Sequence, residues 1–334
     1  MRIKKSVKSL VLAATATLSA VALAQPDPRA QIPIDFDNAI KRKTVAWVPL
    51  TLSTPLGIIW TDVMRQNFEK YGIEFIVRDP NFDTDAQLQA VTSLINEKPD
   101  VLVVQNANVS LLTRELKRAM DEGIFVIQVN MMSNQTSDAY VGVDNVDSGR
   151  IIATDIVAEC GGGKSSGKVA LVAGEPTSAG SLEQLKGAME VFDANDSIEV
   201  VSTQAANWDS NKAYQITATV LQQHPDLCAT YGFWGVMQQG AARAVEAAGL
   251  EGKVKVYASS GGVSSDCDMV EQGLFHKVLS YRADFQGQQI TDAVLTLLQG
   301  DDEPGTKNLV YLSNNYWVEN EADRSYCYDL PASN

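Results

Sequence analysis

Residues 43–77 read KTVAWVPLTLSTPLGIIWTDVMRQNFEKYGIEFIV, and they contain one complete unit of the pattern that decides the fold. A short β-branched apolar run, Thr44–Val48, is followed by a polar loop and then by a segment with helical periodicity. Apolar side chains recur there at intervals of three and four residues, which places them on one helix face: Trp60, Val63, Met64, Phe68 and Tyr71. Gly72 ends the helix, and a second apolar run, Glu74–Val77, follows it.

The same unit recurs along the chain. Further apolar runs are Val101–Val104, Phe125–Val129, Lys168–Val172, Glu199–Thr203, Ala229–Phe233, Val254–Ala258 and Lys277–Tyr281, and a helix over Phe285–Gln299 precedes an extended stretch at Leu309–Leu312. Runs buried on both faces and joined by helical crossovers predict parallel sheets covered by helices. About five strands precede Asp144 and about five follow it, so the pattern predicts two similar α/β lobes.

The first 24 residues have the features of a secretory signal peptide. Basic residues near the N-terminus precede an apolar stretch, Leu10–Ala22, and Ala22-Leu23-Ala24 forms an A-x-A cleavage site. A membrane anchor is the alternative, but the stretch is shorter than the ~20 residues that a spanning helix needs. We expect cleavage after Ala24 and a secreted mature chain.

Composition bounds the partners of the mature chain. Residues 1–24 hold four of the 27 Lys and Arg and none of the 41 Asp and Glu, so their removal changes the formal charge from -14 to -18. The remaining ~310 residues exceed what one hydrophobic core ordinarily supports, which again predicts two lobes. An acidic surface repels phosphate backbones and anionic lipids, so we expect no nucleic-acid or membrane-surface partner.

Cysteine usage agrees with export. Cys160, Cys228, Cys267 and Cys327 make an even set, and an oxidising compartment allows them to form disulfides. Their spacing matches no zinc pattern. Buried free thiols are the alternative.

The residues needed for catalysis or metal binding do not form a recognisable set. Cys160–Ser165 ends in Gly-Lys-Ser, but a phosphate-binding loop requires glycine at the position of Ala158 and a strand, not a helix, before the loop. His224 and His276 are the two histidines of the chain, and neither lies where the base of a catalytic triad is expected. We therefore expect no catalytic residues, no metal and no cofactor.

Ligands of doubly wound sheets bind at the loops after the carboxyl ends of the strands. Two facing lobes therefore predict a cleft lined by residues 49–60, 105–108, 130–133, 174–183, 207–209, 234–237, 259–263 and 281–284.

Short motifs within these loops occur in an order typical of one family. Thr54-Pro55-Leu56 lies where that family has Asn-Pro followed by an aromatic residue, and Val141–Asn145 is similar to its Gly-x-Asp-Asn segment. His224-Pro225-Asp226 before a strand, and Gly273 before a further strand, match the spacing. Over nearly its whole mature length the chain resembles the ribose-binding-protein-like periplasmic binding proteins of ABC importers.

The resemblance implies two Rossmann-like lobes with parallel sheets, the type I fold of these proteins, joined by three hinge crossings near Asp144, Arg282 and Leu309. The implied domains are a signal peptide (1–24), a lead segment (25–42), lobe 1 (43–143 with 282–309) and lobe 2 (144–281 with 310–334). All four cysteines then fall in lobe 2, where the order of helices and strands favours pairing Cys160 with Cys228 and leaves Cys267 for Cys327.

The family's ligand contacts fall by position on Leu50, Leu56, Gly57, Gln105, Asn130, Met131, Leu182, Trp208, Trp234, Ser260 and Tyr281. All of these except Leu50, Gly57 and Leu182 form the predicted binding site. Sugar-binding members commonly have carboxylates and an arginine among these positions, whereas this chain has Asn130, Leu182 and Ser260. The substitutions predict a ligand with few hydroxyls or no charge, extra room beside Gly57, and stacking on aromatic faces.

Several of these residues also have a purely structural interpretation. Trp208 is able to pack on the surface and Trp234 to fill the core. Gln105 belongs to a polar cluster that is able to cap the next helix, and Ser260 precedes two glycines, as is typical of turns. Trp47 and Trp60 are expected in the core.

The function implied by the resemblance is that of a monomeric periplasmic solute-binding protein and not of an enzyme. It captures a small neutral solute, a sugar or polyol, between the lobes and delivers it to ABC permease subunits in the inner membrane. A small aromatic or otherwise more apolar ligand, and presentation to a membrane sensor, stay open as alternatives. The effector domain of a repressor requires a DNA-binding helix-turn-helix at the amino end, where the signal peptide lies.

Overall fold

The computed structural model describes residues 28–331, so the predicted signal peptide lies outside the described residues. The chain divides into two units, residues 1–38 and residues 39–334. The first unit contains most of the first helix, α1 (Pro28–Ile40), in which Gln31 donates to Asp35 at 2.8 Å. Within the described residues no helix is both long and apolar enough to cross a membrane.

The second unit alternates strands and helices. Its strands are β1 (Thr44–Val48), β2 (Glu74–Val77), β3 (Val101–Val104), β4 (Phe125–Val129), β5 (Ala139–Gly142), β6 (Lys168–Ala173), β7 (Glu199–Ala205), β8 (Ala229–Gly232), β9 (Lys255–Ser260), β10 (Lys277–Ser280), β11 (Leu309–Leu312) and β12 (Tyr316–Val318). Its helices are α2 (Pro55–Tyr71), α3 (Thr84–Glu97), α4 (Thr113–Asp121), α5 (Asn145–Cys160), α6 (Ala179–Phe192), α7 (Ser210–Gln223), α8 (Gly235–Ala247), α9 (Ser264–Glu271) and α10 (Ala283–Gln299), and a 3-10 helix covers Glu321–Tyr326.

The strands form two sheets of six. Lobe 1 has the order β11-β5-β4-β3-β1-β2, with all neighbours parallel. Lobe 2 has the order β12-β10-β9-β8-β6-β7, in which β12 alone among the described strands runs antiparallel to its neighbour. The predicted fold class, two α/β lobes built on parallel sheets, is confirmed.

The strand, helix and strand within residues 43–77 show why the lobes fold this way. Thr54 caps α2 by accepting from the backbone N–H of Gly57, and Gly72 ends the helix with a left-handed φ of 66°. Trp47 of β1 and Trp60 of α2 are fully buried with rings 6.4 Å apart, edge to face, as expected of core residues. The indole of Trp47 also donates to the hydroxyl of Thr61 at 2.9 Å. The apolar face of the helix therefore packs directly on the sheet.

The chain passes between the sheets after β5, after β10 and after β11. The first two passages lie at residues 143–144 and 281–282. The third was expected near Leu309, and the strand pairing corrects this boundary. Residues 309–312 all pair with β5 of lobe 1, so the passage lies at residues 313–315 and residues 310–312 belong to lobe 1.

Lobe 2 contains both disulfides. Cys160, the last residue of α5, is bonded to Cys228 just before β8, and Cys267 of α9 is bonded to Cys327 after the 3-10 helix. The first bond lies inside the core of the lobe, and the second ties the C-terminal segment to α9. The pairing implied by the family resemblance is confirmed, and the free-thiol alternative is wrong.

Candidate functional site

A cleft lies where the carboxyl ends of the two sheets meet. It encloses about 520 Å³, counting the space at its open mouth. Its walls are formed by Leu50, Thr54, Leu56, Phe82, Gln105, Asn130, Met131, Asn145, Gly180, Gln184, Trp208, Phe233, Trp234 and Tyr281. Half of these residues lie within two positions of the end of a strand, because all strands of a parallel sheet end at the same edge. The cleft therefore collects loops from both lobes.

Seven of the eight predicted site residues border the cleft: Leu56, Gln105, Asn130, Met131, Trp208, Trp234 and Tyr281. Ser260 does not belong to this lining. It is 1% exposed, and its hydroxyl donates to Asp266 Oδ2 at 2.6 Å. Its role in the structure is to hold a buried carboxyl group at the end of β9.

Two further expectations from position need correction. A Cβ on Gly57 would lie 2.0 Å from the carbonyl oxygen of Thr51, so this glycine packs the start of α2 against the loop after β1 and opens no room for a ligand. Leu182 is 45% exposed and lines a separate shallow pocket. Gly180 and Gln184, four residues apart on α6, face the cleft instead, since residues two apart on a helix point in different directions.

Asn130 is fixed by its backbone. Its φ is 58°, in the left-handed region that asparagine tolerates better than most residues. Its N–H donates to Val141 O at 2.8 Å, and its carbonyl oxygen accepts from the Tyr140 hydroxyl and from Asn145 Nδ2, both at 3.3 Å. Its side-chain Oδ1 is buried and has no partner within the described chain. The backbone thus holds an unpaired acceptor in a fixed position beside the cleft.

Tyr281 and Asn145 lie beside Asn130 where the chain passes between the lobes. Burial raises the pKa of the Tyr281 hydroxyl, and hydrogen bonding from Asn130 opposes this effect only in part. The hydroxyl is therefore neutral and able to donate at physiological pH. Asn145 donates to Glu183 Oε2 at 3.3 Å as well as to Asn130 O. We call Asn130, Asn145 and Tyr281 the hinge triad.

Gln105 presents its amide donors to the cleft. Its Oε1 accepts from the N–H of Leu50 at 3.2 Å, which fixes the orientation of the amide and leaves the N–H groups for a ligand. Its neighbour Asn106 donates to Met131 O at 2.8 Å and so positions the loop after β4. Asn108, not Gln105, accepts from the backbone that leads into α4.

Trp208 and Trp234 form an aromatic wall in lobe 2. Their ring centroids are 6.3 Å apart and their planes meet at 79°, an edge-to-face pair. Gly174, just after β6, makes space for the Trp208 indole, because a Cβ there would lie 2.1 Å from the ring. Trp208 itself has a left-handed φ of 64°. Both indoles border the cleft.

Gln184 supports this wall through hydrogen bonds at both ends of its amide. Its Nε2 donates to the carbonyl oxygen of Phe233 at 3.1 Å, and its Oε1 accepts from the Tyr231 hydroxyl at 2.8 Å. These two bonds hold Phe233 in place and use one of the two N–H groups of the amide.

The lobes touch each other around the cleft. The N–H of Val109 in lobe 1 donates to Thr177 O in lobe 2 at 3.1 Å. Leu56 lies so close to Gly261 that a Cβ on the glycine would be 2.6 Å from its methyl group. Leu50, Met131 and Ala179 form a small cluster across the interface, together with Ala107, Val109 and Trp208. We call these six residues the apolar cluster. Together with the two contacts above, the cluster holds the two lobes in a closed arrangement.

Phe82 is a cleft residue that the sequence analysis missed. It is 47% exposed, has a φ of 63°, and its N–H donates to Leu50 O at 2.8 Å. It lies in a polar turn after the edge strand β2, and this hydrogen bond brings the turn against the loop after the central strand β1. The aromatic residue within this polar turn is the feature of the sequence that could have indicated a contact with the cleft. Thr54, Asn145, Gly180, Gln184 and Phe233 are the other lining residues that were not named as contacts.

The cleft lining is uncharged. Among the described residues that form it, the polar side-chain groups are amides, hydroxyls and indole N–H groups. Two carboxyl groups lie behind this surface. Burial raises the pKa of Glu183, opposed by the hydrogen bond from Asn145. Burial also raises the pKa of Asp266 to about 7, and Asp266 Oδ1 lies 2.5 Å from where a Cβ on Gly235 would be.

Asp155, Glu159 and His276 form a separate cluster away from the cleft, with potential ligand atoms within 4.8 Å of one another. Asp155 pairs with Lys277 at 2.9 Å and Glu159 pairs with Lys255 at 3.1 Å. Lysines of β9 and β10 thus neutralise the two carboxylates. The packing of α5 on these two strands explains the cluster.

Two similar α/β lobes that close over a solute-sized cleft at their strand ends define the class of two-lobed solute-binding proteins. The profile of the family described as "Periplasmic binding protein domain" matches residues 45–302. The chain belongs to this family. Its members are solute-binding proteins of sugar transport and not enzymes.

Relatives of known specificity agree with this assignment. The chain is 27% identical over 224 residues to the D-ribose/D-allose-binding protein of Pseudomonas aeruginosa, covering 65% of this chain and 68% of the relative. It is 28% identical over 250 residues to the D-allose-binding periplasmic protein of Escherichia coli, covering 71% and 78%. A solute-binding protein from Actinobacillus succinogenes, solved with bound D-allose, matches with a TM-score of 0.73 at 23% identity, over 85% of this chain and 99% of that one. This last likeness concerns the fold alone.

Proposed function

We propose that this chain is the periplasmic solute-binding protein of an ABC importer and that it captures a small neutral sugar or polyol in the cleft. The lobes open and close by bending at the passages near residues 143–144, 281–282 and 313–315. The protein works as a monomer, which delivers its ligand to permease subunits in the inner membrane.

The observation that carries this proposal is the uncharged, two-sided lining of the cleft. Lobe 1 offers the Gln105 amide and the free Asn130 oxygen, and lobe 2 offers the Trp208 and Trp234 rings. Amides hydrogen-bond hydroxyls, and the apolar face of a sugar ring stacks on indoles. An ionic ligand would be desolvated here without a counter-charge.

Export is part of the same proposal. Residues 1–24 have the charge, the apolar stretch and the A-x-A end of a signal peptide. Periplasmic relatives and two disulfides in lobe 2 support an oxidising compartment. Mass spectrometry of the exported protein should find an N-terminus at Gln25.

A thermal-shift screen of residues 25–334 against sugars, polyols and small aromatic compounds tests the ligand class, since a ligand that binds only the folded state raises the Tm. A shift with a neutral sugar or polyol is the expected result. Shifts with none of these solutes, but with charged ones, would contradict the proposal.

The apolar cluster favours a second candidate, a small aromatic or otherwise apolar ligand. Leu50, Met131 and Trp208 give one part of the cleft a hydrocarbon surface. A shift with aromatic compounds alone would establish this second candidate. Presentation of the loaded protein to a membrane sensor stays an alternative for the partner, and co-purification with a histidine kinase in place of permease subunits would favour it.

A further inference from the structure

We propose that the disulfide between Cys267 and Cys327 is a positioning element of the ligand cleft. It holds a C-terminal strap, residues 325–328, against the loop after β9 and against the second passage between the lobes. The other disulfide, between Cys160 and Cys228, contributes to stability but not to the shape of the cleft. This inference rests on the proposed function, since it assigns the first bond a part in ligand binding.

The strap pairs with the loop after β9, residues 261–263. Tyr328 donates its N–H to Gly262 O at 2.8 Å, and its carbonyl oxygen accepts from the N–H of Ser264, also at 2.8 Å. These two bonds form a parallel bridge between Val263 and Tyr328. The loop therefore takes its shape in part from backbone hydrogen bonds to the strap.

The strap also supports the second passage between the lobes. The Ser280 hydroxyl at the end of β10 donates to Tyr326 O, and Arg282 Nη1 donates to Ser325 O, both at 2.8 Å. Tyr281, which lines the cleft, lies between these two donors in the sequence. A displacement of the strap therefore removes two supports of the backbone that carries Tyr281.

The loop after β9 also contacts lobe 1. A Cβ on Gly261 would lie 2.6 Å from a methyl carbon of Leu56, which lines the cleft, and 3.6 Å from the Tyr328 hydroxyl of the strap. The N–H of Ala283 donates to Gly261 O at 2.9 Å and so joins the loop to the second passage. The loop therefore lies against the strap, the second passage and the wall of the cleft at the same time.

The disulfide is the covalent tie of the strap. Cys327 belongs to the strap, and its partner Cys267 belongs to α9, the helix that begins directly after the loop. Arg324 also joins this part of the chain to α9, but its ion pairs with Asp268 and Glu271 are open to solvent and stabilise little. Without the disulfide, the strap regains conformational freedom that pairing with the loop must then restrict.

The disulfide between Cys160 and Cys228 lies at the opposite edge of the same sheet. Cys228 directly precedes β8, which runs parallel to both of its neighbours, so the bond lies at the amino ends of these strands. The cleft lies at the carboxyl ends. Both cysteines are buried in the core of lobe 2. This second disulfide is therefore a matched control, because its loss destabilises the same lobe from a site far from the cleft.

The double variants C267S/C327S and C160S/C228S test the inference in residues 25–334, at a temperature at which circular dichroism shows both to be folded. D-ribose, D-allose, D-xylose and myo-inositol are the probes, and tryptophan fluorescence gives affinities and dissociation rates. C267S/C327S should bind any probe that the wild type binds about tenfold more weakly, mainly through faster dissociation, because the cleft loses preorganisation. C160S/C228S should change the affinity less than about twofold, since distant sites act independently.

Hydrogen exchange gives a second measurement that requires no ligand. In C267S/C327S the N–H groups of Ser264, Tyr281 and Ala283 should exchange at least about tenfold faster, while the amides of β6 and β8 keep their protection. In C160S/C228S any faster exchange should extend over the whole of lobe 2.

Ser280→Ala is a milder variant, which removes one bond between the strap and the second passage and keeps both disulfides. It should weaken binding by about threefold, since it removes one hydrogen bond of the same support. If C267S/C327S does not fold, this variant decides, and unchanged affinity in it overturns the inference.

The outcomes separate this inference from the proposed function. Unchanged affinity in C267S/C327S, or an equal loss in the two double variants, overturns the positioning role and leaves the proposed function standing. A wild type that binds none of the probes counts against the proposed function. The exchange rates of the loop and the second passage then decide the positioning role, which equal exchange in the two double variants overturns.

Discussion

Lobe 1 and lobe 2 arrange their six strands in the same order, yet they line the cleft with different side chains. Lobe 1 contributes the amides of Gln105 and Asn130, aliphatic residues such as Leu50, and one ring, Phe82. Lobe 2 contributes three rings, Trp208, Phe233 and Trp234, beside the amides of Asn145 and Gln184. Lobe 2 also holds both disulfides. The topology thus fixes where the loops meet, and the loop residues decide separately what each lobe does there.

The division of labour has a physical logic. Amides on one side fix the direction of a ligand's hydroxyls, and rings on the other side cover its apolar face. Neither wall encloses a ligand alone, so tight binding requires contact with both lobes and couples binding to closure. The direct contacts between lobes, such as Val109 with Thr177, form in the same closed state.

The largest expected difference between the lobes concerns stability. Cys160 and Cys228 are 68 residues apart, so replacing both with serine in the oxidised protein should lower the free energy of unfolding of lobe 2 by about 4 kcal/mol. Hydrogen exchange measured along a denaturant titration gives the free energy of unfolding of each lobe separately. Lobe 1 should be unaffected, and equal destabilisation of both lobes would contradict their independence.

Asp266 should make lobe 2 pH-dependent. Burial raises its pKa from 3.8 to about 7, so the folded protein binds the proton more tightly than the unfolded chain. Its contribution to stability is complete below pH 3.8 and is lost as the pH rises through about 7, a change on the order of 4 kcal/mol. The difference in Tm between Asp266→Asn and the wild type, measured from pH 4 to pH 8, should grow in favour of the variant. Parallel pH profiles would show that Asp266 does not titrate in this range.

The aromatic wall should dominate the contribution of lobe 2 to ligand binding. Trp208→Ala and Trp234→Ala should each weaken binding by ~1–3 kcal/mol, because each removes a ring face from the cleft. Trp317→Ala is the matched control, since Trp317 packs on the core of the same lobe without lining the cleft. Unchanged affinity in both cleft variants would remove these rings from the site.

The smallest expected effect is that of salt. Since the described lining of the cleft has no charged side chain, ligand affinity should change less than about twofold between 20 mM and 500 mM NaCl. Calorimetry at the two salt concentrations measures this ratio. A tenfold loss at high salt would indicate an ionic contact that the closed cleft does not contain.

The sequence predicted the central strands well. The runs at Thr44–Val48, Val101–Val104 and Phe125–Val129 coincide with β1, β3 and β4, because continuous apolar runs between polar loops leave little ambiguity in a buried parallel sheet. The short strand β12 was missed. It joins the sheet through pairing with β10, which is a tertiary contact with no local pattern in the sequence.

The site was predicted where it depends on strand ends and missed where it depends on packing. Asn130 follows β4 directly and Trp208 lies three residues after β7, so the topology alone places them at the cleft. The orientation of Ser260 depends on its bond to Asp266, and the position of Gly57 depends on the carbonyl of Thr51. Contacts of this kind join residues whose spacing in the sequence gives no sign of them.

Tryptophan fluorescence tests most directly whether both lobes close on a neutral solute, because Trp208 and Trp234 lie in the cleft. Residues 25–334 would be titrated with D-ribose, D-allose, D-xylose and myo-inositol. We predict a saturable change in emission with at least one of them, together with slower hydrogen exchange in residues 105–109 of lobe 1 and residues 174–178 of lobe 2. A saturable signal with protection confined to one lobe, or no signal with any neutral sugar or polyol, would contradict this account.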